Sequence, residues 1–355
     1  MEKLQSFFTK NLLSWNSKHN NRQMPWKGEK DPYKIWISEI ILQQTRVEQG
    51  LAYYNRFIKK YPTVKKLAAA NEADVFKLWE GLGYYSRCRN LIATAKFIAN
   101  DLKGIFPDNY TDVLNLKGIG TYTAAAIVSF AYNLPYAVVD GNVNRVLARF
   151  FGIDAAIDST AGKKIFFELA NTLIDKKNAA TYNQAIMDFG ATVCKPKSPL
   201  CSECTLSKNC FALANDKVNI LPIKNKKLAI KDRWFYYLLV CYKNEVLVKE
   251  RLGKDIWQNL NEFILIEQPT QIKNLTKKAV KLVEEKIKTT NFTIQNISIE
   301  YLQQLSHQHI RGNFIEIELA AKENITGYSW MPKSHLKKLS FPKFINTFLQ
   351  DKKYL

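Results

Sequence analysis

The sequence predicts a mainly α chain of two domains: an all-α domain over residues 1–215, a linker at 216–229, and a smaller α+β domain over 230–355. Three observations carry this. With 355 residues, 46% of them hydrophobic, the chain can bury two cores. Up to about residue 215, apolar residues recur at three- and four-residue spacing. Beyond the Lys-rich stretch "NILPIKNKKLAIK", which contains Pro222 and reads as a linker, short alternating segments replace them.

Taken in order, the helical segments are "LQSFFTKNLLSW", "YKIWISEIILQQ", "VFKLWEGLG", "TAAAIVSFAY", "VNRVLARFFG" and "KKIFFELANTLI", punctuated by Gly and Pro. After the linker, "WFYYLLVCYKNEVLVKER" (234–251) predicts two strands around a Lys243-Asn244 turn, and "FIEIELAAK" (314–322) predicts another. No internal repeat and no low-complexity tract interrupts this order.

The formal net charge is +20 and the pI about 9.5. Such an excess suits a polyanionic partner, nucleic acid or an acidic surface, although a solvated basic exterior also produces it. No run reaches the ~18 apolar residues of a membrane-spanning helix, and "MEKLQSFFTKNLL" carries charged and polar breaks where a signal peptide is apolar. A cytoplasmic protein that does not enter a membrane is expected. Of six cysteines, Cys194, Cys201, Cys204 and Cys210 are bunched in "CKPKSPLCSECTLSKNC", whereas Cys88 and Cys241 stand apart. That pattern suits a metal site better than a disulfide framework. Four close thiolates can enclose a cubane of four irons and four sulfides, and a zinc knuckle is the alternative. Lys195, Lys197 and Lys208 place positive charge in or beside the loop.

In "LNLKGIGTYTAAA" (114–126), Gly118 and Gly120 allow backbone conformations closed to residues with a Cβ, ahead of a small-residue helix whose first amides lack partners. Such a turn can hold a phosphate, or be an ordinary helix–helix turn. In "VVDGNVNRVLARF", Asp140 is placed to cap the helix beginning near Asn142. Glu39 sits among Trp36, Ile37, Ile40, Ile41 and Leu42, a setting that favours a protonated carboxyl and hence a general acid, unless the residue faces solvent at a helix edge.

Hairpin, aspartate and cysteine loop, in this order, resemble the helix-hairpin-helix DNA glycosylase superfamily in its iron–sulfur branch. The resemblance spans roughly residues 1–215. It implies one [4Fe–4S] cluster on Cys194, Cys201, Cys204 and Cys210, serving structure and DNA binding rather than catalysis. Bifunctional members of the branch carry a lysine two residues after the second hairpin glycine; here that position is Tyr122, which cannot form a Schiff base. The closer likeness is to the MutY family of adenine glycosylases, which release adenine mispaired with 8-oxoguanine or guanine. Likeness to that family implies that Glu39 protonates adenine N7, that Asp140 faces the oxocarbenium-like sugar, and that Tyr122 and Asn142 position them. It implies a wedge of Leu42, Gln43, Gln44 and Thr45 in the duplex, an intercalating Tyr84, and an adenine pocket built with Arg22 and Trp26, the latter equally readable as core. Flipping is required because the glycosidic bond is buried in the stack. Gln184 departs from the glutamate expected to bind the adenine amino group. The resemblance implies double-stranded DNA as the partner, and a monomer is expected.

The second domain resembles the nucleotide hydrolase MutT, a Nudix-like fold, with "DIWQNLNEF" like its Trp-centred loop. Its helix "TKKAVKLVEEKI" offers only Glu284 and Glu285 for Mg²⁺, so a hydrolase activity is not expected. "QLSHQHI" (304–310) resembles the loop that contacts 8-oxoguanine, with Ser306 and His307 at its polar positions and Leu305 where an aromatic is usual; a plain loop between strands is the other reading.

Overall fold

The computed structural model describes residues 2–225 and 230–354, so the expected linker at 216–229 lies partly outside the described residues. Helices run in the order α1 (Glu2–His19), α2 (Pro32–Leu42), α3 (Val47–Lys60), α4 (Val64–Ala68), α5 (Glu72–Trp79), α6 (Tyr85–Asn100), α7 (Tyr110–Asn115), α8 (Thr121–Tyr132), α9 (Gly141–Phe151), α10 (Thr160–Leu173), α11 (Ala179–Thr192) and α12 (Phe211–Ala214). There follow β1 (Lys231–Tyr242), β2 (Glu245–Glu250), β3 (Asn261–Glu262), β4 (Ile264–Gln268), α13 (Leu275–Ile287), β5 (Phe292–Ile297), β6 (Tyr301–Gln304), β7 (Gln308–Leu319), β8 (Ser329–Pro332) and α14 (Lys343–Asp351).

Two compact units emerge: Met1–Ala69 with Asn90–Lys227, and Ala70–Arg89 with Leu228–Leu355. The 70–89 segment, which sequence reading places with the helical domain, groups with the second unit. Hydrogen bonds account for this: Lys77 Nζ donates to the Leu339 carbonyl at 2.8 Å, the Phe341 N–H to Glu80 Oε1 at 2.9 Å, and Arg89 Nη1 to the Gln258 carbonyl at 2.9 Å.

The first unit is a helical assembly whose caps are written in its sequence. Asp31 takes the Tyr33 N–H at 2.9 Å and Pro32 opens α2; Asn109 caps α7 through the Asp112 N–H. Phe8, Leu12 and Trp15 of α1 pack with Phe150, Phe166 and Phe189 of α9, α10 and α11 in one buried cluster. Trp15 meets Phe189 edge-on at 5.0 Å, and truncating Phe189 to alanine would cost about 3–5 kcal/mol.

In the second unit, β1 lies centrally. It pairs in parallel with β7 from Lys231↔Gln308 to Cys241↔Glu318, and antiparallel with β4 and β2. Its Phe235–Val240 run is buried throughout, as expected of a strand covered on both faces. Helix α13 covers one face with Ala279, Val283 and Ile287, and Phe348 of α14 stacks on Phe314 at 4.0 Å. The strand expected at 314–322 starts earlier and ends at Leu319, because its partner β5 begins at Phe292, opposite that residue.

Candidate active site

In the first unit a cavity of about 740 Å³ opens between α2, α8, α9 and α11. Glu39, Tyr122, Asp140, Asn142 and Gln184 all line it, as do Arg22, Trp26, Leu42, Gln43, Gln44 and Thr45. Eleven residues expected from sequence thus surround one space, drawn from positions 22 to 184.

Glu39 projects from the third turn of α2 and is 7% exposed. Burial pushes its carboxyl up to about 7; a hydrogen bond from the Tyr122 hydroxyl opposes this and the nearby Asp140 charge adds to it. The expectation of an apolar setting is therefore realised, and the helix-edge alternative is not. Tyr122, in the first turn of α8, also lies 3.5 Å from Met187 Sδ, and its own phenol is pushed upward by burial and by both carboxylates.

Asp140 is the N-cap of α9 and a cavity residue at once. Its Oδ1 accepts the Val143 N–H at 2.7 Å and its Oδ2 the Asn142 side chain at 2.8 Å. Burial raises its carboxyl, and these donors with the Arg145 charge pull it back. One carboxyl is thus held by a single hydroxyl and the other by several N–H groups, an asymmetry that favours the charged form at Asp140 more than at Glu39.

Sequence reading missed Arg145 and Gly190. Arg145 Nη2 donates to Asn142 Oδ1 at 2.9 Å and to the Gly190 carbonyl at 2.6 Å, while its Nε reaches the Cys194 carbonyl at 2.7 Å. One guanidinium therefore ties the start of the cysteine loop to the residue that orients Asp140. A Cβ on Gly190 would come within 2.7 Å of Asn142 Cβ, so the helix crossing demands glycine. The signal was present in "DGNVNR", where Arg145 lies one turn beyond Asn142.

The hairpin between α7 and α8 needs one qualification. Gly118 has φ +83°, and a Cβ there would strike Asn90, so its glycine is required. Gly120 is extended at φ −99° with nothing within 4 Å of a Cβ, so the conformational argument does not apply to it. It caps α8 without a side chain, which leaves open space before the helix's first amides. Trp26 is both core and wall: it is buried edge-on against Tyr54 at 5.3 Å and borders the cavity. Gln44 is exposed and holds φ +58°, uncommon for a residue with a side chain.

The chain is similar to known proteins. Residues 37–171 match the HhH-GPD superfamily base excision DNA repair protein family and residues 235–351 the NUDIX domain. An adenine DNA glycosylase of Buchnera aphidicola subsp. Acyrthosiphon pisum is 34% identical over 88% of this chain and 87% of its own length. The chain belongs to the adenine DNA glycosylase family. The adenine DNA glycosylase of Homo sapiens is 40% identical over 58% of this chain and 39% of its own. Among solved structures, a thermostable thymine-DNA glycosylase aligns with a TM-score of 0.56 and 31% identity, covering 60% of this chain and 98% of that one.

The cysteine loop of this family member follows α11. Cys194, Cys201, Cys204 and Cys210 line one small cavity of about 30 Å³ whose other walls include Val193, Pro199, Leu200 and Arg149. All are free thiols; burial pushes Cys204 up to about 12 and raises Cys210, so a bound metal would have to displace their protons. Arg149 Nη1 lies 3.5 Å from Cys194 Sγ and donates to the Lys195 carbonyl at 2.8 Å, which holds the loop in place. Four sulfurs without carboxylate or imidazole in the lining form a donor set that fits an iron–sulfur cluster. Among the described residues, no three cysteine, histidine or acidic side chains converge on the position of a single metal ion. Lys197 and Lys208 are exposed and Lys195 half-exposed.

In the second unit, Leu305, Ser306 and His307 form the turn between β6 and β7, closed by the Leu305 N–H to the Gln308 carbonyl at 2.7 Å. Ser306 and His307 are exposed. The Ser306 hydroxyl is hydrogen-bonded to that of Tyr84, itself 40% exposed with φ +48°. Tyr84 belongs to the segment that sequence reading placed in the other domain, so this pairing could not be foreseen. Glu284 and Glu285 lie on α13, Glu285 within 3.9 Å of Lys281. Among the described residues no helix is long and apolar enough to cross a membrane.

Proposed function

We propose that the chain is a monofunctional adenine DNA glycosylase that flips adenine out of A·8-oxoguanine or A·G pairs in double-stranded DNA and hydrolyses its glycosidic bond. The observation that carries this is Glu39: a carboxyl held to about 7 in a cavity shared with Asp140. A carboxyl raised so far above its ordinary range keeps a proton available near neutral pH.

Adenine enters the cavity along Arg22, Trp26 and Gln184, with the Gln184 amide accepting a hydrogen bond from its amino group. Glu39 protonates N7 and makes the base a leaving group, and the Asp140 carboxylate, oriented by Asn142, stabilises the positive sugar or traps C1′. Water completes hydrolysis. Tyr122 has no amine with which to open the sugar, so the strand stays intact. Leu42, Gln43, Gln44 and Thr45 fill the gap in the stack, and Tyr84, Ser306, His307 and Leu305 meet the opposite base. The Gly118–Gly120 hairpin receives a phosphate. When bound to the four cysteines, a [4Fe–4S] cluster fixes the loop that presents Lys195, Lys197 and Lys208 to DNA. The protein acts as a monomer.

The test is base release from duplexes carrying A·8-oxoG, A·G, A·T and G·T pairs. Free adenine from the first two, with strand breaks only after heat or alkali, is expected. Release of thymine from G·T alone, or breaks without alkali, would overturn the reading.

A further inference from the structure

Asp188 lies on α11, four residues beyond Gln184, with its side chain wholly buried. A buried carboxylate is costly unless its oxygens are taken. Every partner that takes them comes from the segment 20–27. Oδ1 receives Arg22 Nη1 at 2.9 Å, and Oδ2 receives Asn20 Nδ2 at 2.9 Å and Lys27 Nζ at 3.1 Å. The same ammonium donates to the Arg22 carbonyl at 2.8 Å, and the Arg22 N–H to Asn20 Oδ1 at 3.2 Å. One carboxylate thus closes a small network across the whole segment.

That segment has no helix or strand of its own; a turn from the Lys27 N–H to the Met24 carbonyl at 3.0 Å is its main internal bond. It also supplies Arg22, Met24, Trp26 and Lys27 to the wall of the cavity, which Gln184 and Met187 of α11 line as well. The position of this wall therefore depends on an anchor in the same helix that carries Gln184. Two cations share a single carboxylate, so loss of its charge leaves both half-buried and mutually repelled.

We infer that Asp188 is a positioning residue for base selection, setting the position of the Arg22–Trp26 wall relative to Gln184. It acts through Arg22 and Lys27 and touches no substrate. The inference rests on the adenine-releasing reading above.

The test compares single-turnover release of adenine and of unsubstituted purine, each opposite 8-oxoguanine, by wild type, Asp188→Asn, Lys27→Met, Asn20→Ala and the double variant Asp188→Asn/Lys27→Met. Asp188→Asn keeps the size of the side chain and should slow adenine release at least tenfold. It should slow purine release less, narrowing the ratio between the two bases, with affinity for the duplex and the upper pH limb of the rate unchanged. Asn20→Ala, which removes one bond to Asp188 without changing the sequence of α11, should narrow the ratio to a smaller extent and serves if Asp188→Asn does not fold. Adding Asp188→Asn to Lys27→Met should cost less than threefold beyond the larger single effect, because the two residues act as one. Equal slowing for both bases, or effects that multiply fully, would make Asp188 a structural residue and overturn the inference. A wild type that releases neither base would instead refute the adenine-glycosylase reading.

Discussion

Asn142 donates its side-chain N–H to Asp140 Oδ2 at 2.8 Å while its own oxygen accepts from Arg145 at 2.9 Å, so the orientation of the Asp140 carboxylate is set from the cysteine side of the molecule. The cap of a helix, a cavity carboxylate and the cysteine loop form one continuous hydrogen-bonded unit.

Glu39 gives the rate a pH signature. As the proposed acid, Glu39 must hold its proton, so single-turnover release should fall roughly tenfold per pH unit above about 7, and fall again toward acid pH as the Asp140 carboxylate, raised by burial, takes up a proton. The same burial acts on stability. A folded carboxyl raised from 4.5 to about 7 contributes its full share below pH 4.5 and loses it as pH rises through about 7, a swing on the order of 3 kcal/mol. Glu39→Gln should therefore melt higher than wild type at pH 8 and show a much smaller gain at pH 5, while losing activity. Equal melting differences at both values would mean that Glu39 titrates normally.

Tyr122 lowers the carboxyl of Glu39 through its hydrogen bond, so Tyr122→Phe should move the falling limb of the pH–rate profile to higher pH. Tyr122→Lys places an amine in the same cavity and should yield a borohydride-trappable complex with DNA that wild type does not form. Mass spectrometry of the trapped adduct locates the attachment.

Cysteine chemistry separates two groups. Serine at Cys194, Cys201, Cys204 or Cys210 should abolish the brown colour and the bound iron and sulfide, whereas serine at Cys88 or Cys241 should not. The latter two are buried, and desolvation raises both thiols, Cys241 to about 11. Metal analysis of the purified protein reads the result directly, and one zinc per chain would contradict it.

Ser306 and His307, exposed in the β6–β7 turn, should matter for the lesion more than for adenine. Alanine at both should cost about 1–3 kcal/mol of discrimination between A·8-oxoG and A·G. Competition binding on the two duplexes measures it, and equal weakening would leave the turn a structural element.

Much of this site was legible in the chain. The apolar neighbours of Glu39 announce a buried carboxyl, and the Gly118 hairpin and the Asp140 cap follow from local backbone rules that tertiary packing did not override. The long-range electrostatics were not legible. Arg145 and Asp188 read as ordinary charged residues of helices until the fold brings the Cys194 carbonyl and the 20–27 segment beside them. The 70–89 segment is helical as expected, but its grouping depends on hydrogen bonds to residues 258, 339 and 341 that no local pattern encodes.

The most direct measurement is single-turnover adenine release from an A·8-oxoG duplex by Asp140→Asn beside Glu39→Gln. Asparagine caps a helix about as well as aspartate, so Asp140→Asn should preserve α9 and the melting temperature while removing the charge proposed to face the sugar. Each variant should bind the duplex as wild type does and release adenine at least ~10³-fold more slowly. Near-wild-type release by Asp140→Asn would make Asp140 a helix cap and nothing more, and the account of the site would be wrong.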